Sequence, residues 1–207
     1  MSSGWCIEQF ELLGRWDVPV ALPEEMTEEA QDNYAMYATI EAYEAEYGPA
    51  EEYPIVSILD VLKLARDHEA GITIHGVVDF AVEFDWEDVK KLEPQLSAVI
   101  ALVEALQEEI SIAELVEKIG DTPVIFLGEY PDVEKGGSFG VHAVKHVKEA
   151  YEMIPVFLNE ESAQEYNGAN HPMTWTTINE LQRFYDRFGI LVEPQKKYWA
   201  EIRPESE

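Results

Sequence analysis

The sequence predicts an α+β fold: a helical N-terminal part over residues 1–121 and a C-terminal mixed-sheet α/β unit over residues 122–207. Three observations carry that expectation. Before Gly120-Asp121-Thr122-Pro123, long segments repeat apolar residues at helical spacing; after it, short apolar runs alternate with short helical ones. The charge shifts at the same place, from 28 acids and 6 bases in residues 1–121 to 14 acids and 8 bases in residues 122–207. A hydrophobic content of 46%, with 11% aromatic, supplies a core despite a net charge of -28, which separates this chain from acidic disordered ones.

The N-terminal elements are read from their start and stop signals. Thr27, after Pro23-Glu24-Glu25, opens an expected helix to Tyr47, with Met36, Ile40, Tyr43 and Tyr47 on one face and Gly48-Pro49 as the stop. Ser57 with Asp60 resembles a capping box ahead of Ile58, Leu59, Leu62 and Ala65. The run Gly71-Ile72-Thr73-Ile74-His75-Gly76 is a strand or a tight connection. From Leu92 to Val116 apolar residues recur at spacings of four and three. That pattern resembles a coiled-coil seam. Ile100 and Leu102 widen the stripe beyond a dimer seam, which favours packing inside a globule. Pro94 at a first-turn position and Ser111 with Glu114 divide it into two helices, 94–109 and 112–119.

In the C-terminal part, Val124-Ile125-Phe126-Leu127 reads as a buried strand and Gly136-Gly137 as a turn. Residues 141–152 fit either a helix or a strand. Ile154-Pro155-Val156-Phe157-Leu158 is a strand ending at Asn159, which caps the helix begun by Glu160-Glu161. Met173-Thr174-Trp175-Thr176 is the next strand. Thr177 with Glu180 opens a helix carrying Leu181, Phe184 and Phe188, which Gly189 ends. Ile190-Leu191-Val192 and Tyr198–Ile202 complete a mixed sheet. No internal repeat is visible along the chain.

The segments Ile154-Pro155-Val156-Phe157-Leu158-Asn159-Glu160-Glu161, Thr177-Ile178-Asn179-Glu180-Leu181 and Gly189-Ile190-Leu191-Val192-Glu193-Pro194 are similar to SseB-type domains. Those domains carry a Pro-Val-Phe strand leading into an acidic helix start, a later helix, and a closing Gly-led strand that ends in Asn-Pro. The resemblance covers residues 122–203. Here Asn159 stands where the family has a hydroxyl or Asp, and Glu193 where it has Asn. The resemblance implies a compact α+β fold and a non-enzymatic regulatory or scaffolding role.

Composition narrows the classes of function. No run approaches about 18 uncharged apolar residues, so no membrane-spanning helix is expected. The start Met1-Ser2-Ser3-Gly4-Trp5-Cys6 lacks the basic and apolar runs of a secretory signal. The single cysteine, Cys6, fits a reducing compartment, and a cytoplasmic location is expected. Strong negative charge repels phosphate backbones and anionic lipid, so neither nucleic acid nor membrane is an expected direct partner.

Candidate chemistry is sparse. His142 and His146, four apart, would share a helical face with Glu149 as a metal-ligand set, but Lys145 and Lys148 crowd it and a bare H-x-x-x-H is common. No metal or cofactor is assigned. The paired carboxylates, Glu24-Glu25 and Glu28-Glu29 among them, sit among like charges rather than in contrasting environments that separate their pKa values. Gly136-Gly137-Ser138-Phe139-Gly140 lacks the Gly-Lys-Ser/Thr of a phosphate loop. No nucleophile elbow occurs. An enzyme built on His142, His146 and Glu149 ranks last.

What stands out is residues 1–62, with 14 acids and Arg15 as the only base. Tyr34 and Tyr37 lie in this segment with Tyr43, Tyr47 and Tyr53, either as an interface surface or as cover for a helical core. The expectation is a non-enzymatic binding or regulatory protein that contacts a basic protein partner through Glu24, Glu25, Glu28, Glu29, Tyr34 and Tyr37. The alternative is a nucleic-acid mimic that inhibits a DNA- or RNA-binding protein by presenting regularly spaced acids. Acidity as an adaptation to a salty cytoplasm would need no partner at all.

Overall fold

The computed structural model describes residues 33–53, 55–76, 81–130 and 140–204, with the backbone alone of residues 17–21. Six helices and twelve strands lie among them, an α+β fold. The chain forms two compact units, Met1–Ser97 and Ala98–Glu207. The division falls inside a helix. The change in charge and periodicity near residue 121 instead marks where helices give way to strands, a different event along the chain.

The first unit is built on a five-stranded sheet, a feature the expectation of a mainly helical N-terminal part did not contain. Its strands are β1 (Asp17–Ala21), β2 (Asn33–Tyr37), β3 (Ile55–Ser57), β4 (Gly71–His75) and β5 (Ala81–Phe84), in the order β3-β1-β2-β4-β5. β2 and β4 run parallel with Tyr34 opposite Ile72; the other pairs are antiparallel. Helix α1 (Ile40–Tyr47) therefore starts only after β2, and within the expected helix from Thr27 to Tyr47 the residues Asn33–Tyr37 are a strand, while 27–32 lie outside the described residues. The helical spacing of Met36 and Ile40 was coincidental. Tyr34, Met36 and Tyr37 suit a pleated strand between two neighbours, and pairing on both edges outweighs the local pattern. Helix α2 (Ile58–Asp67) starts at Ser57, whose hydroxyl accepts from Asp60 N–H at 3.1 Å, and buries Ile58, Val61, Leu62 and Ala65.

Helix α3 (Trp86–Leu106) begins a full two turns before the expected start, leaving Pro94 in its interior. The missed signal is Asp85, whose carboxylate accepts the Asp88 N–H at 2.9 Å and caps the helix. Helix α4 (Ile112–Ile119) has the expected capping box from Ser111 and Glu114.

The second unit carries strands β6 (Pro123–Glu129), β7 (Gly140–Val141), β8 (Val144–Lys145), β9 (Glu152–Phe157), β10 (Met173–Thr177), β11 (Gly189–Val192) and β12 (Ala200–Ile202). The main path is β10-β6-β9-β11-β12, with β7 on β6 and β8 on β9. Helix α5 (Glu160–Tyr166) is capped by Asn159, which accepts from Ser162 N–H at 2.8 Å. Helix α6 (Ile178–Phe184) is capped by Thr177, which accepts from Glu180 N–H at 3.1 Å. Both caps are where the sequence places them. Residues 141–152 resolve as two short strands and a turn, with no helix. The expected turn at Gly136-Gly137 lies outside the described residues.

The two units repeat one topology. Setting aside the short β7 and β8 that the second unit inserts after β6, each runs strand, strand, helix, strand, helix, strand, strand, and β3-β1-β2-β4-β5 corresponds in every pairing direction to β10-β6-β9-β11-β12. The register matches too: Asn33 faces Gly71 as Met153 faces Gly189, and Tyr34 faces Ile72 as Ile154 faces Ile190. Caps Thr39 and Asn159, then Ser57 and Thr177, lie 120 residues apart. Buried positions keep the same spacing: Tyr34 and Ile154, Met36 and Val156, Tyr37 and Phe157, Ile58 and Ile178, Val61 and Leu181, Ala65 and Tyr185. The expectation of no internal repeat is corrected. Glu41 and Glu161, Gly48 and Gly168, and Ile58 and Ile178 are the only identities over residues 33–65, so what repeats is the pattern of apolar positions and polar caps rather than the residues themselves.

Candidate functional site

The acidic segment is the first candidate. Glu24, Glu25, Glu28 and Glu29 lie outside the described residues. Further along, Glu41, Glu46, Glu51, Glu52 and Asp60 are exposed, and Glu44 is half-buried. Thr39 caps α1, its hydroxyl accepting the Ala42 N–H at 3.2 Å. The Glu41 carboxyl is held below its ordinary range by its own backbone N–H, then by the Thr39 hydroxyl. An acid in a helix's first turn is favourably placed, which accounts for Glu41 without a partner. Glu46, Glu51 and Glu52 have no such local account.

Tyr34 and Tyr37, expected at a partner surface, are 3% and 4% exposed and belong to the core of the first unit. Both lie in β2 between β1 and β4, a setting that favours burial of their rings. The Tyr34 hydroxyl is hydrogen-bonded to His68 Nδ1, and burial pushes its phenol pKa up. Tyr37 stacks on His75 with centroids 5.0 Å apart, and meets Tyr43 and Tyr47 edge-on at 5.5 and 5.8 Å. Its phenol is pushed up, first by burial and then by the hydrogen bond to Tyr47. Tyr43 contacts both Tyr47 and Tyr53, and the Tyr53 hydroxyl donates to the Glu44 carboxylate. The aromatic that this cluster offers to solvent is Tyr47, 58% exposed at the end of α1. Gly48, at φ +79, ends the helix directly after it. Sequence reading grouped Tyr47 with the others. The stop signal at Gly48-Pro49 is what could have singled it out, since helix-terminal side chains lie at the surface.

The histidine face expected of a helix is not assembled. His146 Nδ1 accepts the backbone N–H groups of Lys148 and Glu149 at 3.1 and 2.8 Å, which places its proton on Nε2, 3.2 Å from Glu201 Oε2. Nδ1 holds the turn before β9 and Nε2 faces Glu201 on β12, so both ring nitrogens are occupied. His142 goes elsewhere, beside His171 with ring centroids 4.9 Å apart. Among the described residues no three His, Cys, Asp or Glu side chains converge to hold a metal.

Among the described residues are two depressions. One in the second unit, of about 620 Å³, is lined by Lys145, His146, Tyr151 and Arg187 together with Glu149 and Glu152, so both signs of charge meet there. One in the first unit, of about 210 Å³, is lined by Asn33, Trp86, Glu69, Glu83 and Asp85.

No family model, curated protein or solved structure matches the chain.

One buried carboxylate is structural. Glu193, 1% exposed and at φ +48, accepts the Leu158 N–H at 2.7 Å while its own N–H donates to Val156 O at 2.9 Å. Desolvation pushes its pKa up to about 7, opposed by the Leu158 N–H, Lys196 and Ser162. In the first unit the corresponding N–H, that of Ala38, donates to the main-chain carbonyl of His75 at 2.9 Å. A side chain thus takes the place of a backbone acceptor at the end of the parallel strand pair. Among the described residues no helix is long and apolar enough to cross a membrane.

Proposed function

We propose that the chain is a non-enzymatic, cytoplasmic binding or regulatory protein whose acidic N-terminal segment captures a basic protein partner. The observation that carries this reading is the run of residues 1–62, where 14 acids meet one base. Among its described acids, Glu41, Glu46, Glu51, Glu52 and Asp60 face solvent, and none makes an ion pair. A field of one sign, unrelieved by cations, draws an oppositely charged surface and speeds its encounter. Tyr47, exposed beside Glu46, supplies the kind of flat amphipathic ring that anchors protein interfaces. The similarity to SseB-type domains is consistent with a regulatory role.

The test is capture of partners from host lysate by wild type and by a variant with Glu24, Glu25, Glu28 and Glu29 changed to Gln. Binding should weaken as salt rises, because the Debye length falls to about 8 Å near physiological ionic strength. The variant should associate more slowly while remaining folded. Identical partner profiles for the two proteins would remove the reason for assigning this segment a binding role.

A further inference from the structure

His142 and His171 are far apart in sequence and are brought together by main-chain hydrogen bonds to β6. The His142 N–H donates to Leu127 O at 2.8 Å, and the Gly128 N–H donates to Pro172 O at 2.7 Å, next to His171. His171 is also clamped by Asn167, whose Oδ1 accepts the His171 N–H at 2.8 Å while its Nδ2 donates to the His171 carbonyl at 2.7 Å. Both backbones are therefore held in place independently of their side chains. The rings tilt by 32° with centroids 4.9 Å apart, and Tyr166 meets His142 edge-on at 6.0 Å.

Two features set this pair apart from His68 and His146. His68 is bonded to Tyr34 through Nδ1, and His146 is bonded through both nitrogens. Neither imidazole of the His142–His171 pair has a hydrogen bond to the described protein, though both are half-buried. The spacing also fits a shared ion. At a metal–nitrogen distance of about 2.0–2.1 Å, two imidazoles on one centre put their ring centroids roughly 4.5–5.2 Å apart for ligand angles between right and tetrahedral.

We propose that His142 and His171 form a two-imidazole site for a divalent transition metal of the zinc, nickel or copper class, its remaining positions open to water or to a ligand from a partner. Imidazole prefers such borderline ions over magnesium or calcium, whereas the many surface carboxylates prefer the hard ones. That difference supplies the test. The full chain is titrated with zinc in excess magnesium, so that carboxylate sites are masked, and binding is followed by calorimetry. One zinc per chain is expected.

H142Q and H171Q should each weaken zinc binding by tenfold or more, since loss of even an outer partner of a metal ligand costs about 10–100-fold. As a second readout, copper should give an electron paramagnetic resonance spectrum with two nitrogen ligands, reduced to one in either variant. Circular dichroism of the variants confirms the fold. Zinc binding unchanged in the folded double variant, or no uptake by wild type in excess magnesium, overturns the site.

Discussion

Glu193 shows how one side chain can set a pH dependence. Its ordinary carboxyl value is 4.5, and the folded chain raises it to about 7. The folded state therefore holds a proton that the unfolded chain has released between those values. The stabilisation is fully present below 4.5 and is lost as pH rises through about 7, on the order of 3 kcal/mol in all. Glu193→Gln keeps the acceptor for Leu158 N–H and removes the charge. Chemical denaturation of the variant should show a flatter stability profile across that window and greater stability than wild type above neutrality. Equal slopes for the two proteins would mean that Glu193 does not titrate there. A second residue-scale case is Glu93, 4% exposed, with Arg66 Nη1 at 2.5 Å from its Oε2. Arg66→Ala strands that carboxylate, and a loss of about 1–3 kcal/mol is expected in urea unfolding, moderated because Arg66 is partly exposed. No change in the urea midpoint would show that water replaces the guanidinium.

At the scale of elements, helix starts were the most legible features. Ser57, Ser111, Asn159 and Thr177 each accept the backbone N–H three residues on, as a short polar side chain before an apolar stripe demands. Asn159→Ala or Thr177→Ala should each cost about 1 kcal/mol in denaturant unfolding. Indistinguishable midpoints for both variants would argue that these ends are satisfied by water. Strand β6 was legible too, but not the role of Gly128 within it, which sits at φ +146 where a Cβ would lie 2.2 Å from the Gly140 carbonyl oxygen on β7. Gly128→Ala should cost about 1–3 kcal/mol or more, through backbone strain and loss of the β6–β7 pairing. A thermal midpoint equal to wild type would show that β7 moves aside freely. Strands β2 and β3 were invisible for another reason. A strand's stability comes from its neighbours, and here those neighbours are distant in sequence.

Across the whole molecule, charge and repetition dominate. A net charge of -28 on 207 residues produces self-repulsion that opposes compaction. Added monovalent salt screens it, so the thermal midpoint should rise from low to physiological ionic strength before levelling. A midpoint that falls over that range would mean that attractive pairs such as Lys118–Glu104 and Lys196–Glu165 outweigh the repulsion. The repeated topology explains why one set of rules, a polar cap followed by a short helix and then a parallel strand, recurs in both halves. It escaped the sequence because burial constrains apolarity more than identity. Tyr34 and Ile154 fill matching places with unrelated side chains.

The sequence by itself determined the α+β class, the four helix caps named above, most strands of the second half and the acidic field of residues 1–62. Each is local, since caps act over three residues and charge is additive. Only the tertiary structure decided that residues 33–37 are a strand, that Tyr34 and Tyr37 are core, and that Tyr47 faces solvent. It also separated His142 from His146 and set it beside His171. These outcomes depend on pairing and burial between segments tens of residues apart, and no local pattern encodes which segment arrives.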